Sequence, residues 1–235
     1  MIILAKKVSI YMKKQKELVI FDLDGTIIDS APSLHNALNF MLKELNLEPI
    51  ELEVAREYIG NGAQVLVKRT LVRDFNYEKY EIDEQLFKKA LDILLTYYGK
   101  NLTEYTVLYS GAKEALEILR NVGYKMAIAT NKPNQFVQEI LEHFDIDKYF
   151  DYVIGSGVVE HRKPHPAMLL KVCEELAIKP QNSIMVGDTI NDILGAKNAN
   201  MDSIAITHGY THIDLSELNP TYICNGFKEI TEILV

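Results

Sequence analysis

Leu18-Val19-Ile20-Phe21-Asp22-Leu23-Asp24-Gly25-Thr26 decides how this chain is to be read. Four consecutive apolar residues mark a strand buried on both faces, the habit of parallel sheets. Two acids, a glycine and a hydroxyl follow at once, and in open parallel sheets ligands gather beyond the carboxyl ends of the strands. Working outward, comparable apolar runs recur at Met126-Ala127-Ile128-Ala129, Tyr152-Val153-Ile154, Ser183-Ile184-Met185-Val186 and Ile204-Ala205-Ile206. Helical patterns lie between them, at about 112–121, 135–144, 166–177 and 190–199. Phe136, Val137, Ile140, Leu141 and Phe144 in the second recur at helical spacing. Strand alternating with helix predicts right-handed βαβ units: an α/β, doubly wound, Rossmann-like parallel sheet covered on both sides.

One stretch breaks the alternation. From Asp29 to about Tyr105 the pattern is helical only. Leu34, Leu38, Met41, Leu42 and Leu45 form one face, Val65, Leu66 and Arg69 belong to a second helix after Gly60-Asn61-Gly62, and Leu86, Ala90, Ile93, Leu94 and Tyr97 to a third. Asp29 and Ser30 are expected to start the first helix, with Pro32 in its first turn. A block this long is large enough to be a small bundle of its own. The expected organisation is a basic extension over 1–17, a core formed by 18–30 and 106–235, and a helical cap over 31–105, with hinges near 29–32 and 102–107.

Composition narrows the classes. The chain has 235 residues, 48% apolar and 25% charged, with a net charge of −8, which fits a globular protein with an ample core. An acidic balance excludes a general nucleic-acid binder, which needs a basic face, and no run approaches the roughly 20 apolar residues of a membrane helix. Two cysteines, Cys173 and Cys224, are too few for a disulfide framework and imply a reduced, cytoplasmic setting. Oligomeric state is not legible. The six histidines form no ligand pattern.

Three further strand ends carry chemistry: Thr130-Asn131-Lys132, Arg162-Lys163-Pro164-His165-Pro166 and Gly187-Asp188-Thr189-Ile190-Asn191-Asp192. Together with Asp22-x-Asp24-Gly25-Thr26, these residues in this order resemble the haloacid dehalogenase superfamily from about Leu18 to the C-terminus, and the helical block resembles its mobile cap. Ile59-Gly60-Asn61-Gly62-Ala63, Thr130-Asn131-Lys132-Pro133, Lys163-Pro164-His165-Pro166 and His208-Gly209-Tyr210 are similar to the phosphoglycolate phosphatases within it.

The resemblance implies hydrolysis of a small phosphorylated metabolite through an aspartyl-phosphate. Asp22 is then the nucleophile, and Asp24 the acid to the leaving oxygen and the base for the attacking water. Mg²⁺ would be held by the Asp22 side chain, the Asp24 carbonyl and Asp188, with Asp192 fixing a metal-bound water. Thr130 and Lys163 would bind phosphate oxygens, helped by amides around Gly25, Thr26 and Asn131. A carboxylated substrate needs a second anion recogniser, for which Gly60, Asn61 and Gly62 at a helix start are the candidates, with Lys68, Arg69 or Arg73 assisting or merely forming a solvated face. Asp24 counts against dehalogenases and phosphonatases. A sugar-phosphate phosphatase, a pyrophosphatase and a β-phosphoglucomutase-like enzyme keep the same motifs, and a phospho-acceptor signalling domain shares the Asp, Thr and Lys but lacks a cap.

Overall fold

The computed structural model describes residues 16–211 and 213–235. Most of the expected basic extension therefore lies outside the described residues. Its last two residues are tied to the sheet: Lys16 pairs with Asp202 at 2.6 Å, and Glu17 accepts from the Asn182 side-chain amide.

Every apolar run becomes a strand. β1 (Leu18–Phe21) lies at the centre of a six-stranded parallel sheet. Its neighbours are β4 (Lys125–Pro133) on one side and β6 (Ser183–Gly187) on the other. β5 (Tyr152–Ser156) flanks β4, while β7 (Asp202–Ile206) and β8 (Tyr222–Cys224) extend the other edge, giving the order β5-β4-β1-β6-β7-β8. Period-2 alternation sorts the side chains between two cores. Val19, Phe21, Met126, Ile128, Ile184 and Val186 face one way, toward α5 (Ala112–Asn121), α6 (Val137–His143) and α9 (Phe227–Leu234). Leu18, Ile20, Ala127, Ala129 and Met185 face the other, toward α7 (Ala167–Glu175) and α8 (Ile190–Asn198). The expected doubly wound α/β class is the observed one.

The helical block differs from expectation in number. It holds α1 (Ala31–Glu44), α2 (Leu52–Tyr58), α3 (Ala63–Val72) and α4 (Glu84–Lys100), four helices instead of three. The missed α2 is only seven residues long with two buried side chains, Ala55 and Tyr58, too few to make a periodic stripe. α1 packs against both α2 and α4, and α3 against α4. Chain entry and exit lie side by side in a two-stranded antiparallel ribbon, β2 (Ile28–Asp29) with β3 (Val107–Leu108).

β4 also runs further than its apolar core suggested. It continues through Thr130, Asn131 and Lys132 to Pro133, with a register shift against β5 between Ala129 and Pro133. Such irregularities re-aim side chains at functional sheet edges.

Candidate active site

Register positions the two central acids. Phe21 pairs with Val186, and the Asp22 amide donates to the Val186 carbonyl at 2.9 Å, so Asp22 and Asp188 leave adjacent strands together. Asp192 rises from the first turn of α8 to join them, and ligand oxygens of Asp22, Asp188 and Asp192 all lie within 4.8 Å of one another. All three side chains are buried. Lys163, from the loop ahead of α7, inserts its ammonium between two of them, 2.6 Å from Asp192 Oδ1 and 3.1 Å from Asp22 Oδ1.

Three buried carboxylates against one ammonium is an electrostatic deficit. Burial, opposed by Lys163 and reinforced by Asp192 and Asp24, pushes the Asp22 carboxyl up to about 6. Burial and then repulsion from Asp192 and Asp22 drive Asp188 well above the usual carboxylate range. Such a cluster fits a divalent cation with hard oxygen ligands. The Asp24 carbonyl, which receives no hydrogen bond among the described residues, is compatible with that role.

Asp22 Oδ1 accepts the Leu23 amide at 2.8 Å, while Oδ2 takes no hydrogen bond among the described residues and the residue lines a cavity of about 40 Å³. Thr130 lines the same cavity; its hydroxyl oxygen accepts the Lys132 amide, leaving its proton to donate elsewhere. Asp188, Asp192 and Lys163 lie outside that lining, fully buried around its carboxylate end.

Asp24 is held by two side chains. Lys132 Nζ donates to both its oxygens, at 2.9 and 3.1 Å, and Ser30 Oγ donates to Oδ1 at 2.5 Å. Burial opposes the Lys132 charge, but Asp24 and Tyr98 outweigh it, and the ammonium stays protonated. Ser30 thus serves Asp24 instead of capping α1, whose Ala31 amide is received by Asp29 Oδ1. Sequence reasoning quoted Lys132 as part of a motif without giving it a role. Its signal was its place in the strand: two residues after Thr130, it emerges on the same face.

Two expected phosphate donors are corrected. The Gly25 amide donates to Ile28 O and the Thr26 amide to Leu23 O, so both are consumed in closing their own turn. Thr26 instead gives its hydroxyl to Asp188 Oδ1 at 2.9 Å, and Gly25 sits at φ +83°, where a Cβ would lie 2.4 Å from Asp188 Oδ2. Asn131 uses its side-chain amide to tie the Gly60 and Lys163 carbonyls, each at 3.0 Å, leaving its buried Oδ1 without a donor.

The helical block contributes part of the cavity wall. Gly60 and Gly62 line the cavity but Asn61 does not; its side chain meets Arg69 and Asn191 along the seam with the core. Arg69 belongs to neither expected role: it is buried, donating to the Tyr58 and Phe75 carbonyls and stacked 3.7 Å from the Phe75 ring centroid. Lys68 lies over Tyr77 and Phe87, and Arg73 reaches the Pro49 and Glu48 carbonyls.

His208-Gly209-Tyr210 acquires a physical role. His208 Nε2 bonds the Thr26 carbonyl, the Tyr210 amide donates to Asp188 Oδ2 at 2.8 Å, and the Tyr210 hydroxyl oxygen receives the Ser30 and Ala31 amides. A Cβ at Gly209 would stand 2.1 Å from Asp188 Oδ2. Gly209→Ala is therefore expected to displace Asp188, weakening divalent-cation affinity at least about tenfold, as losses of ligand-supporting contacts do. Titration of the cation by calorimetry checks this; wild-type affinity would show that the loop has room to give.

Comparison with known proteins agrees with this architecture. The family model for haloacid dehalogenase-like hydrolases matches residues 19–206, and the chain belongs to that family. Among its relatives, the phosphoglycolate phosphatase of Psychrobacter arcticus is 39% identical, over 94% of this chain and 96% of its own. That of Colwellia psychrerythraea is 40% identical, over 92% and 96%. The crystal structure of a predicted phosphoglycolate phosphatase from Haemophilus somnus 129PT superposes with a TM-score of 0.88, at 36% identity, covering 94% of this chain and 99% of the other. No described helix is long and apolar enough to cross a membrane.

Proposed function

We propose that this protein is a divalent-cation-dependent phosphomonoesterase whose substrate is 2-phosphoglycolate. The observation that carries the reading is that Asp22, its Oδ1 fixed by the Leu23 amide and its Oδ2 taking no hydrogen bond among the described residues, lines the same cavity as an Asp24 anchored by Lys132. The phosphoglycolate phosphatases among its relatives support the substrate.

Asp22 Oδ2 attacks phosphorus in line with the ester oxygen, and the P–O ester bond breaks as the Asp–phosphorus bond forms. Asp24 delivers a proton to the departing alkoxide and then takes one from the water that cleaves the aspartyl-phosphate. The Thr130 hydroxyl donates to an equatorial oxygen, and Lys163 balances charge on Asp22 and the phosphoryl group. Asp22, Asp188 and the Asp24 carbonyl would hold Mg²⁺, which supplies compensation for charge on the phosphoryl oxygens; Asp192 anchors Lys163 and supports the cluster. The block 31–105 acts as a cap that excludes water, swinging on the β2–β3 ribbon.

Phosphate release from a panel of monoesters tests the reading. 2-Phosphoglycolate with Mg²⁺ should be preferred, and chelation should abolish turnover. Preference for a hexose phosphate or pyrophosphate would replace the substrate, and retention of one phosphoryl equivalent would replace the enzyme with a switch.

The carboxylate cluster predicts a linked effect on stability. Asp22 has its folded pKa, about 6, above the unfolded value of 3.8. The folded state therefore binds the extra proton, and that contribution is complete below pH ~4 and lost as pH rises through about 6, on the order of 3 kcal/mol. A cation should restore it only where the acids ionise. At about 100 times its Kd, Mg²⁺ should add roughly 2.7 kcal/mol, raising Tm by about 5–10 °C at pH 7.5 and far less at pH 5. Equal shifts at both pH values would contradict the cluster as the binding site.

A further inference from the structure

The proposed substrate carries a carboxylate beyond its ester, and the cation that receives it can be traced from the geometry. Asp24 must come within about 2.6–3.2 Å of the ester oxygen to protonate it. The carboxyl carbon of the leaving group is two bonds, of about 1.5 Å each, from that same oxygen. The carboxylate is thereby confined to the neighbourhood of Asp24. Lys132 Nζ stands in that neighbourhood, within 3.1 Å of both Asp24 oxygens, and it is the one cation among the described residues lining the cavity.

Tyr98 completes a pair of donors. Reaching in from α4, its hydroxyl oxygen accepts the Lys132 ammonium at 2.6 Å, and no acceptor for the phenolic proton is found among the described residues. The surrounding wall is apolar, with Leu34, Ile59, Leu66, Leu94 and Phe136, a setting that strengthens charge recognition and suits a methylene. Among the other cations near the seam, Arg69 is committed to two backbone carbonyls, Arg56 to Asp29, and Lys163 to Asp22 and Asp192, while Arg162 stands beside Gly62 but outside the cavity lining.

We propose that Lys132 and Tyr98 form the receptor for the carboxylate of the leaving group, so that selectivity for phosphorylated α-hydroxy acids resides in a core lysine and an α4 tyrosine and not in the Gly60–Gly62 turn. The proposal rests on the reading of the substrate as 2-phosphoglycolate. Ethyl phosphate, which lacks only the carboxylate function, supplies the comparison. In the full chain with Mg²⁺, kcat/KM is measured for both esters in wild type, Lys132→Met and Tyr98→Phe. The ratio of the two values isolates the carboxylate, because any damage done through Asp24 affects both esters alike.

Lys132→Met should lower the ratio by roughly 10- to 100-fold, and Tyr98→Phe by a smaller factor, as expected for hydrogen bonds to a charged group. Equal losses on the two esters would overturn the proposal and leave Lys132 as a support for Asp24 alone. Should Lys132→Met fail to fold, Tyr98→Phe decides, since it removes one hydroxyl and keeps the ion pair; an unchanged ratio there overturns the receptor. A wild-type enzyme indifferent to the carboxylate would instead refute the substrate reading itself, an outcome distinct from parallel losses in the variants.

Discussion

Asp22→Asn is expected to abolish steady-state phosphate release, by at least about 10⁴-fold, since a lost nucleophile leaves only binding and electrostatic stabilisation. The same substitution should leave the cation-free fold as stable as wild type or more so at pH 7.5. Asn is nearly isosteric and can still accept the Leu23 amide, while it removes a carboxylate whose ionisation burial and its acidic neighbours oppose. Lys163 keeps its shorter contact, to Asp192. Activity and stability therefore move in opposite directions, the signature of a group held in an unfavourable state because the chemistry requires it. Phosphate release combined with melting curves at pH 7.5, with and without Mg²⁺, checks both halves. Wild-type turnover would remove Asp22 from the nucleophile's role.

Lys163→Met should damage the fold severely. The ammonium is fully buried between Asp22 and Asp192, and removing one partner of a buried ion pair strands the others, at a cost of about 3–5 kcal/mol. For a chain of this size that is a fall in Tm of roughly 6–20 °C. The loss should shrink at pH 5, where Asp22 accepts a proton. Lys163 holds the Asp22 pKa down, so without it Asp22 titrates still higher above its unfolded value and its penalty is incurred only as pH rises. Denaturation at pH 5 and pH 7.5 measures the difference, and equal destabilisation at both would show that packing, not charge, is what Lys163 supplies.

Much of this site was legible because it sits at strand ends. The apolar run ahead of Asp22 and the runs ahead of Thr130 and Asp188 name their own termini, and a parallel sheet brings such termini to one edge. What escaped were contacts made across elements. Tyr98 reads as one of thirteen tyrosines until α4 is laid over β4. Arg69 looks like a surface cation at helical spacing until the turn it supports folds over it. The Gly25 and Thr26 amides suggested an anion cradle because glycine-rich turns often form one, but whether an amide is free depends on how its own turn closes, and here Leu23 and Ile28 claim both. β8 was missed because Tyr222-Ile223-Cys224 is three residues long and largely exposed at the sheet edge, with almost no hydrophobic pattern to report it.

The central place of β1 also sets a schedule for biosynthesis. Its partners are far away in the chain: Leu18 pairs with Lys125 and with Ser183. At about 5–20 residues per second, the interval before even the first partner leaves the ribosome is on the order of 5–20 s, and the second comes later still. Throughout that time Leu-Val-Ile-Phe has both hydrogen-bonding edges open. Nascent chains stalled before Ser183 should therefore depend on chaperones that shield apolar segments, whereas chains released after Cys224 should not.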